Sequence, residues 1–374
     1  MANAQPRPVP KLLTRLTLTD FRSYSALRFS PQARVNVFAG PNGTGKTNLL
    51  EAISLLVPGR GLRGAKFSEL ARHAASGSWA VAAQFQDGLE IGTGGAKTSP
   101  ERREFRLNGV KPRTQAEIGE ILAAVWLTPQ MDRLFTDTAS GRRKFLDRLV
   151  LALEPSHARE IASFEAASAQ RNRLLAENPE PGWLAALEDS MARHAVAATA
   201  ARAALLTRLN AAIDAGAADP FPRVALALSC SITERLTTTP AVEVEDTLRT
   251  AYAAARAQDT AAKSTTIGPH KADFLIADAA SGRPAGFSST GQQKSMLLGI
   301  VLGHAAMIEA ARGQAPILLL DEPLVHLDAT RRDALFAALN GAKYTAWITG
   351  TDVEQFSPLD AACYSIKDFS IEPA

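Results

Sequence analysis

Cysteine is nearly absent from this chain: Cys230 and Cys363 are its only two, and no CxxC pair occurs among the 374 residues. That excludes a disulfide framework and a cysteine zinc site, and it fits a reducing compartment. The six histidines are scattered, so no cluster of them points to a metal centre. An excess of charge of one sign is missing as well. The formal net charge is +3 and the pI about 8.9, which permits an acidic partner such as DNA without demanding one. The first residues, MANAQPRPVPKLL, lack the apolar core of a signal peptide, and their prolines predict a short disordered lead-in. The greasiest run, MLLGIVLGHAAMIEAA, is interrupted by His304 and Glu309 and is expected to be too short to cross a bilayer. No internal repeat is visible. These absences predict a soluble, cytoplasmic protein without a membrane partner.

What is present is enough apolar sequence, 46% of residues, for the cores of two or three domains. LTRLTLTDF alternates like a strand, and RVNVFAG runs apolar into a glycine. Between Trp79 and Val110 the alternation returns, with Asp87-Gly88 and Asn108-Gly109 as two-residue hairpin signals, so an antiparallel meander is expected. At about Ser140 the sequence becomes alanine-rich, charged and helix-forming, and it stays so to roughly Ala215. NPEPG, Asn178 to Gly182, breaks this stretch and predicts two long helices folded back on each other. VALALSC is expected to return as a strand, and a short helix near Asp246 to Gln258 completes the insertion. From Ile267 onward strand and helix patterns alternate again: PILLLDE, ATRRDALFAALN, YTAWITGT.

Three local motifs carry chemistry. Gly40-Pro41-Asn42-Gly43-Thr44-Gly45-Lys46-Thr47, followed by Asn48, satisfies G-x-x-x-x-G-K-[ST] between an expected strand and an expected helix. Its backbone N–H groups would wrap phosphates, Lys46 would reach the β and γ phosphates of ATP, and Thr47 would ligate Mg²⁺. In ILLLDEP, an apolar strand ends in Asp321, expected to hold Mg²⁺ through its water shell, and Glu322, expected to orient the attacking water. Asp328, shortly beyond, stands at a turn before a helix, either as its cap or at the nucleotide. The third motif is Ser288-Ser289-Thr290-Gly291-Gln292, a second glycine-bearing turn opening a helix about 30 residues before the acidic strand.

That order of motifs resembles the ABC ATPase superfamily, in which the serine and glycine of such a turn contact the nucleotide of another subunit. The pieces LTLTDFRSYSALRF, RRKFLDRLV, TTIGPHKADF and SSTGQQKS, in this order over nearly the whole chain, resemble the RecF family of bacterial recombination-repair proteins. The resemblance implies an α/β fold: an ABC-type P-loop ATPase head built from residues 1–135 and 265–374, with an antiparallel β meander and an inserted α-helical arm domain, residues 136–264. It implies an ATP-dependent homodimer that binds gapped DNA and single-strand/double-strand junctions, acts with RecO and RecR to help RecA load, and hydrolyses ATP slowly to release. Ser289, Gly291, Gln292 and Asp328 then belong to the composite nucleotide site. Gln130, in LTPQMDRLF, falls where the superfamily's Q-loop glutamine would meet nucleotide and Mg²⁺. The superfamily's switch histidine is missing, with Thr351 and Asp352 in its place.

The expected DNA contacts are Arg142, Arg143 and Lys144 of GRRK together with Arg63, with Arg22, Arg60, Arg171 and Arg173 as further basic candidates. His270 is expected either at nucleotide or DNA or as a structural histidine, and His326 has no assigned role. A transporter's nucleotide-binding subunit and a P-loop small-molecule kinase remain competing readings. The long insertion and GPHKADF weigh against the first, and the second glycine turn weighs against the other.

Overall fold

The computed structural model describes residues 11–73, 76–177 and 180–374. The proline-rich lead-in, and Asn178 and Pro179 of the expected helix break, lie outside these residues. Strands β1 (Leu13–Phe21), β2 (Tyr24–Phe29) and β3 (Val35–Ala39) lead into helix α1 (Lys46–Ser54). Next come β4 (Trp79–Phe85), β5 (Glu90–Ala96), β6 (Ser99–Leu107), α2 (Gln115–Ile121) and β7 (Ala124–Leu127). The helical stretch holds α3 (Ala139–Leu153), α4 (His157–Ala176), α5 (Pro181–Asp214), β8 (Val224–Ser229), α6 (Ser231–Leu236), α7 (Ala241–Ala254) and α8 (Arg256–Ala262). The chain closes with β9 (Asp273–Asp278), α9 (Thr290–Arg312), β10 (Ile317–Leu320), α10 (Ala329–Gly341), β11 (Thr345–Gly350), β12 (Ala362–Lys367) and β13 (Ser370–Pro373).

Two compact units result. The first comprises residues 11–132 with Ala212–Arg223 and Ser288–Ala374, and the second residues 133–211 with Val224–Phe287. The second unit takes in residues 265–287, which were expected in the head, because β9 pairs along its whole length with β8, from Val224↔Asp278 to Ser229↔Asp273. Conversely, Ala212–Arg223 belongs to the first unit. There Phe221 and Ala218 lie so close to Gly299 of α9 that a Cβ on that glycine would stand 3.2 and 3.6 Å from their side chains.

The first unit contains two sheets. One is antiparallel, in the order β2-β1-β4-β5-β6. Its β4–β5 turn falls at Asp87-Gly88 as expected, but Asn108-Gly109 joins no two sheet strands. It closes the end of β6 with a single bridge from Leu107 to Val110, and the hairpin with β5 is made by residues 97–98 instead. The other sheet has the order β13-β12-β3-β11-β10-β7, parallel from β12 to β7. Every residue of β3, β10 and β11 is buried, as expected of strands covered on both faces. Phe38 of β3 stacks on Trp347 of β11 and on Tyr364 of β12, each at 5.3 Å between ring centres, and so locks the three neighbouring strands.

Helix α9 corrects one expectation. Its 23 residues would extend about 34 Å, so length alone does not keep it from spanning a bilayer. Burial accounts for its apolar character instead: every residue from Lys294 to Ala305 is inside the protein. In the second unit, Phe164 of α4, Met191 and Ala195 of α5, and Val244, Leu248 and Tyr252 of α7 form one apolar cluster. Beside it Arg171 is fully buried, donating to Glu188 Oε1 (3.0 Å), Asp259 Oδ2 (2.6 Å) and the Tyr252 carbonyl (2.7 Å). Arg171 is therefore a core residue and not a DNA contact. Arg173, two residues on, is exposed.

Candidate functional site

Strand β3 runs directly into the loop 40–45, and the loop's shape depends on positions that admit no side chain. Gly40 has φ +155°, and a Cβ there would stand 2.4 Å from the Ile366 carbonyl oxygen. Gly45 has φ +101°, and its Cβ would meet the Tyr24 hydroxyl at 2.8 Å. That hydroxyl donates to the Gly45 carbonyl (3.1 Å), and Thr44 Oγ1 donates to the Pro41 carbonyl (2.9 Å). Helix α1 starts at Lys46, whose Nζ donates to the carbonyls of Gly40 (2.6 Å) and Pro41 (2.9 Å). Burial lowers the Lys46 pKa, and the nearby charges of Glu322 and Asp321 oppose the shift. The loop encloses a cavity of about 290 Å³, lined by Asn42, Gly43 and residues 45–48, with Arg63 and Glu322 on its rim.

The acidic strand end is built by strand order. Because β11 lies between β3 and β10, Thr349 of β11 sits beside the end of β10. Asp321 Oδ1 accepts from Thr47 Oγ1 (2.9 Å), 274 residues away in sequence, and from Thr349 Oγ1 (2.7 Å). The Thr349 hydroxyl in turn accepts from the Glu322 backbone N–H (2.9 Å). One buried hydroxyl thus orients both acids. Glu322 has φ +48°, a left-handed conformation that costs a non-glycine residue about 1–2 kcal/mol. This sparsely populated conformation sits at a charged turn that lines the cavity.

Behind the loop, Glu51 of α1 is fully buried and accepts both ends of the Arg22 guanidinium, at 2.8 Å each. Arg63 Nη1 donates to the same carboxylate (3.1 Å) and to Asn48 Oδ1 (2.6 Å), and Asn48 Nδ2 donates to Ser23 Oγ (2.9 Å). Arg63 and Arg22, expected at DNA, brace the phosphate-loop helix, and Arg63, which stays exposed, also lines the cavity. Arg60 is exposed.

Ser289 caps α9 in a capping box: its Oγ accepts from the Gln292 N–H, and Gln292 Oε1 accepts from the Ser289 N–H (3.0 Å). Asp328 caps α10, accepting from the Arg331 N–H (2.9 Å) and pairing with Arg331 Nη1 (2.8 Å). The two turns are neighbours, since a Cβ at Gly291 would lie 2.9 Å from Arg331 Nη1 and 3.3 Å from the His326 carbonyl oxygen. Ser289, Gln292, His326 and Asp328 are all exposed, and no residue of this patch lines the phosphate-loop cavity of its own chain.

Gln130 is also exposed and does not line that cavity. It follows β7, which is parallel to β10 and ends at the same side of the sheet as Asp321. Two residues on, Asp132 accepts from Lys294 Nζ (2.7 Å), which ties this segment to α9. In GRRK, Arg142 makes a two-pronged bond to Asp273 (2.8 and 2.7 Å) and Arg143 donates to the Ala272 carbonyl (2.6 Å). Arg142 is thereby tied to β9 and Arg143 to the residue before it, and Lys144 is the most exposed of the three. His270 Nε2 bonds the Thr265 carbonyl (2.9 Å) and its ring lies against Phe164, a structural placement. Thr351 and Asp352 are exposed beyond β11.

Thr349, Glu51 and Lys294 are not legible as site residues from sequence. One of two hydroxyls in the otherwise apolar TAWITG strand, and charges inside two apolar helices, are the available signals.

Residues 12–348 match the family model described as RecF/RecN/SMC N terminal domain. The DNA replication and repair protein RecF of Mesorhizobium japonicum is 45% identical over 358 residues, covering 94% of each chain. The chain belongs to the RecF family. Its counterpart in Rhizobium leguminosarum bv. trifolii is 42% identical, with 96% of this chain and 98% of the relative covered. The fold agrees. A solved RecF with ATP, the recombination mediator of the RecFOR pathway, superposes with a TM-score of 0.85 at 23% identity over the whole of both chains. An Smc head domain from Pyrococcus furiosus superposes with 0.52 at 14% identity, covering 97% of this chain and 96% of that one. The RecF-family fold is thus an ABC-type ATPase head with an antiparallel β meander and an inserted helical segment.

Proposed function

We propose that the protein is an ATP-gated DNA-binding protein of recombinational repair. The observation that carries this is the division of nucleotide chemistry over one surface: a phosphate-loop cavity in one place, and an exposed serine-glycine cap with Asp328 outside it. A second copy would complete each cavity, so ATP would act as the clamp between two protomers. The donors fit ATP with Mg²⁺. Backbone N–H groups of a loop that excludes side chains at Gly40 and Gly45 would hold the phosphates, and Lys46 would turn from two carbonyls to the β and γ phosphates. Thr47 and Asp321 are already hydrogen-bonded and would hold the metal between them. Bound Mg²⁺ supplies charge that neutralises the phosphates. Glu322, which lines the cavity, would orient the attacking water, and slow hydrolysis would release the dimer.

The DNA partner, as gaps and single-strand/double-strand junctions, is supported by membership in a family whose relatives bear the name DNA replication and repair protein. Cooperation with RecO and RecR to load RecA, in the cytoplasm, is inferred in the same way. The test is fluorescence anisotropy of a gapped duplex with the Glu322→Gln protein in ATP and in ADP, at two salt concentrations. Tight, salt-sensitive binding in ATP alone is expected. Absence of DNA binding in both states would overturn the reading in favour of an ATPase acting on a protein partner.

A further inference from the structure

The antiparallel sheet carries a hollow of about 410 Å³ that has no part in the nucleotide site. On one side it is lined by β6, from Glu101 to Phe105, and on the other by Lys111 to Gln115, with Phe67 closing the end. Its base is Arg103, a residue only 7% exposed. The guanidinium carbon lies 4.4 Å from the centre of the Phe105 ring and 5.0 Å from that of Phe67. Nη1 donates to the Leu55 carbonyl (3.3 Å), while Nε has no hydrogen-bond partner. Among the described residues no carboxylate pairs with Arg103, and burial pushes its pKa down to about 9. A cation withdrawn from water without a counter-charge is costly, and an anion entering the hollow would offset that cost.

The rim repeats the pattern. Arg102 and Arg113 are exposed and have no ion-pair partner among the described residues. Of the two acids in the lining, Glu104 pairs with Lys111 (3.2 Å), and Glu101 accepts from Ser68 Oγ (2.8 Å) and keeps its charge. Four cationic residues, Arg102, Arg103, Lys111 and Arg113, against two acids, Glu101 and Glu104, thus line one open hollow from two chain segments. Arginine forks match the paired oxygens of a phosphate. A sugar-phosphate chain also offers successive charges to the two rims, which isolated carboxylates on a protein do not.

We propose that this hollow grips the phosphodiester backbone of DNA, with Arg103 as its buried anchor and Arg102 and Arg113 as outer contacts. The inference rests on the DNA-binding reading above and locates a contact outside GRRK, whose arginines bond to Asp273 and Ala272. Such contacts position the nucleic acid without reading its sequence.

The experiment measures anisotropy of the gapped duplex with full-length protein in ATP, between about 50 and 200 mM salt. Three proteins are compared: unmodified, Arg102→Gln/Arg113→Gln and Arg103→Met. Each phosphate contact contributes about 0.9 to the slope of log K against log salt, so the double variant should flatten it by about 1.8 and Arg103→Met by about 0.9. Arg103→Met should also keep or raise the thermal midpoint, because it removes an unpaired buried charge. An unchanged slope in both variants, with the unmodified protein binding normally, overturns the proposal and leaves the DNA-binding reading standing. A lower midpoint with an unchanged slope makes Arg103 structural only and overturns it as well. Competition by a poly-glutamate peptide that is lost in the variants while their DNA slope stays unchanged assigns the hollow to an acidic protein segment instead. Failure of the unmodified protein to bind DNA overturns the underlying reading and the proposal together.

Discussion

Replacing Thr349 by valine removes one hydroxyl from the acidic end of β10 while nearly conserving volume. The residue is fully buried. Two bonds are lost: its donation to Asp321 Oδ1 at 2.7 Å, and its acceptance from the Glu322 N–H at 2.9 Å. A hydrogen bond to a charged group contributes about 1.5–3 kcal/mol, and a buried N–H left without a partner costs about 1–3 kcal/mol. The two share one hydroxyl and are not additive, so a combined loss of about 2–4 kcal/mol is expected. Where this loss falls on the alignment of Asp321 and Glu322, each 1.4 kcal/mol is a tenfold fall in rate, so kcat for ATP hydrolysis should drop about 10- to 100-fold. The phosphate loop itself is untouched, so KM for ATP should change little. Steady-state hydrolysis with thermal unfolding as a second readout checks this, and Thr349→Ser, which restores the hydroxyl, should recover most of the rate. A valine variant that is destabilised but turns over ATP at the normal kcat would refute the reasoning, for Thr349 would then support the fold and not the acids.

Three further outcomes are expected. Ser289→Arg should leave ATP binding to each monomer intact yet abolish the ATP-dependent dimer, and a dimer persisting in light scattering would contradict the divided site. Arg171→Met should destabilise the second unit by about 3–5 kcal/mol, because it strips Glu188 and Asp259 of a buried partner. Urea unfolding measures this, and unchanged stability with weakened DNA affinity would instead make Arg171 a DNA contact. The Asp273 pKa is lowered by its hydrogen bond to Arg142, with burial opposing. The pair therefore adds stability above the unfolded carboxylate pKa of about 3.9 and loses it as pH falls through the lower folded value. Arg142→Met should cost roughly 1 kcal/mol near neutral pH after solvent screening, and the gap in urea midpoint should close toward pH 3. A gap that widens on acidification would invert the sign and refute the assignment.

Motifs written in consecutive residues are legible in the amino-acid sequence alone: the phosphate loop, the acidic strand end, the serine-glycine cap, and the helical insertion begun near Ser140. In each, the residues that form the feature are neighbours in sequence, so backbone geometry and periodicity suffice to announce it. The meander is legible too, except for one turn, because Asn108-Gly109 has the turn chemistry of a hairpin but no second strand follows it in the sheet. Local propensity cannot say whether a partner strand exists.

What only tertiary structure decided is which partner each polar group takes. GRRK reads as a basic patch, yet Arg142 and Arg143 are claimed by Asp273 and Ala272, 131 and 129 residues away. Arg63 and Arg22 are held by Glu51 and Arg171 by the core of the second unit, whereas Arg102, Arg103 and Arg113 line one hollow and make no ion pair among the described residues. Thr349 reaches Asp321 because β11 enters the sheet between β3 and β10. The amino-acid sequence determined the family and the chemistry at the loop, since these depend on residue type and short spacing. The sheet order decided the rest, because a charge or hydroxyl acts on whatever the fold brings within about 3 Å of it.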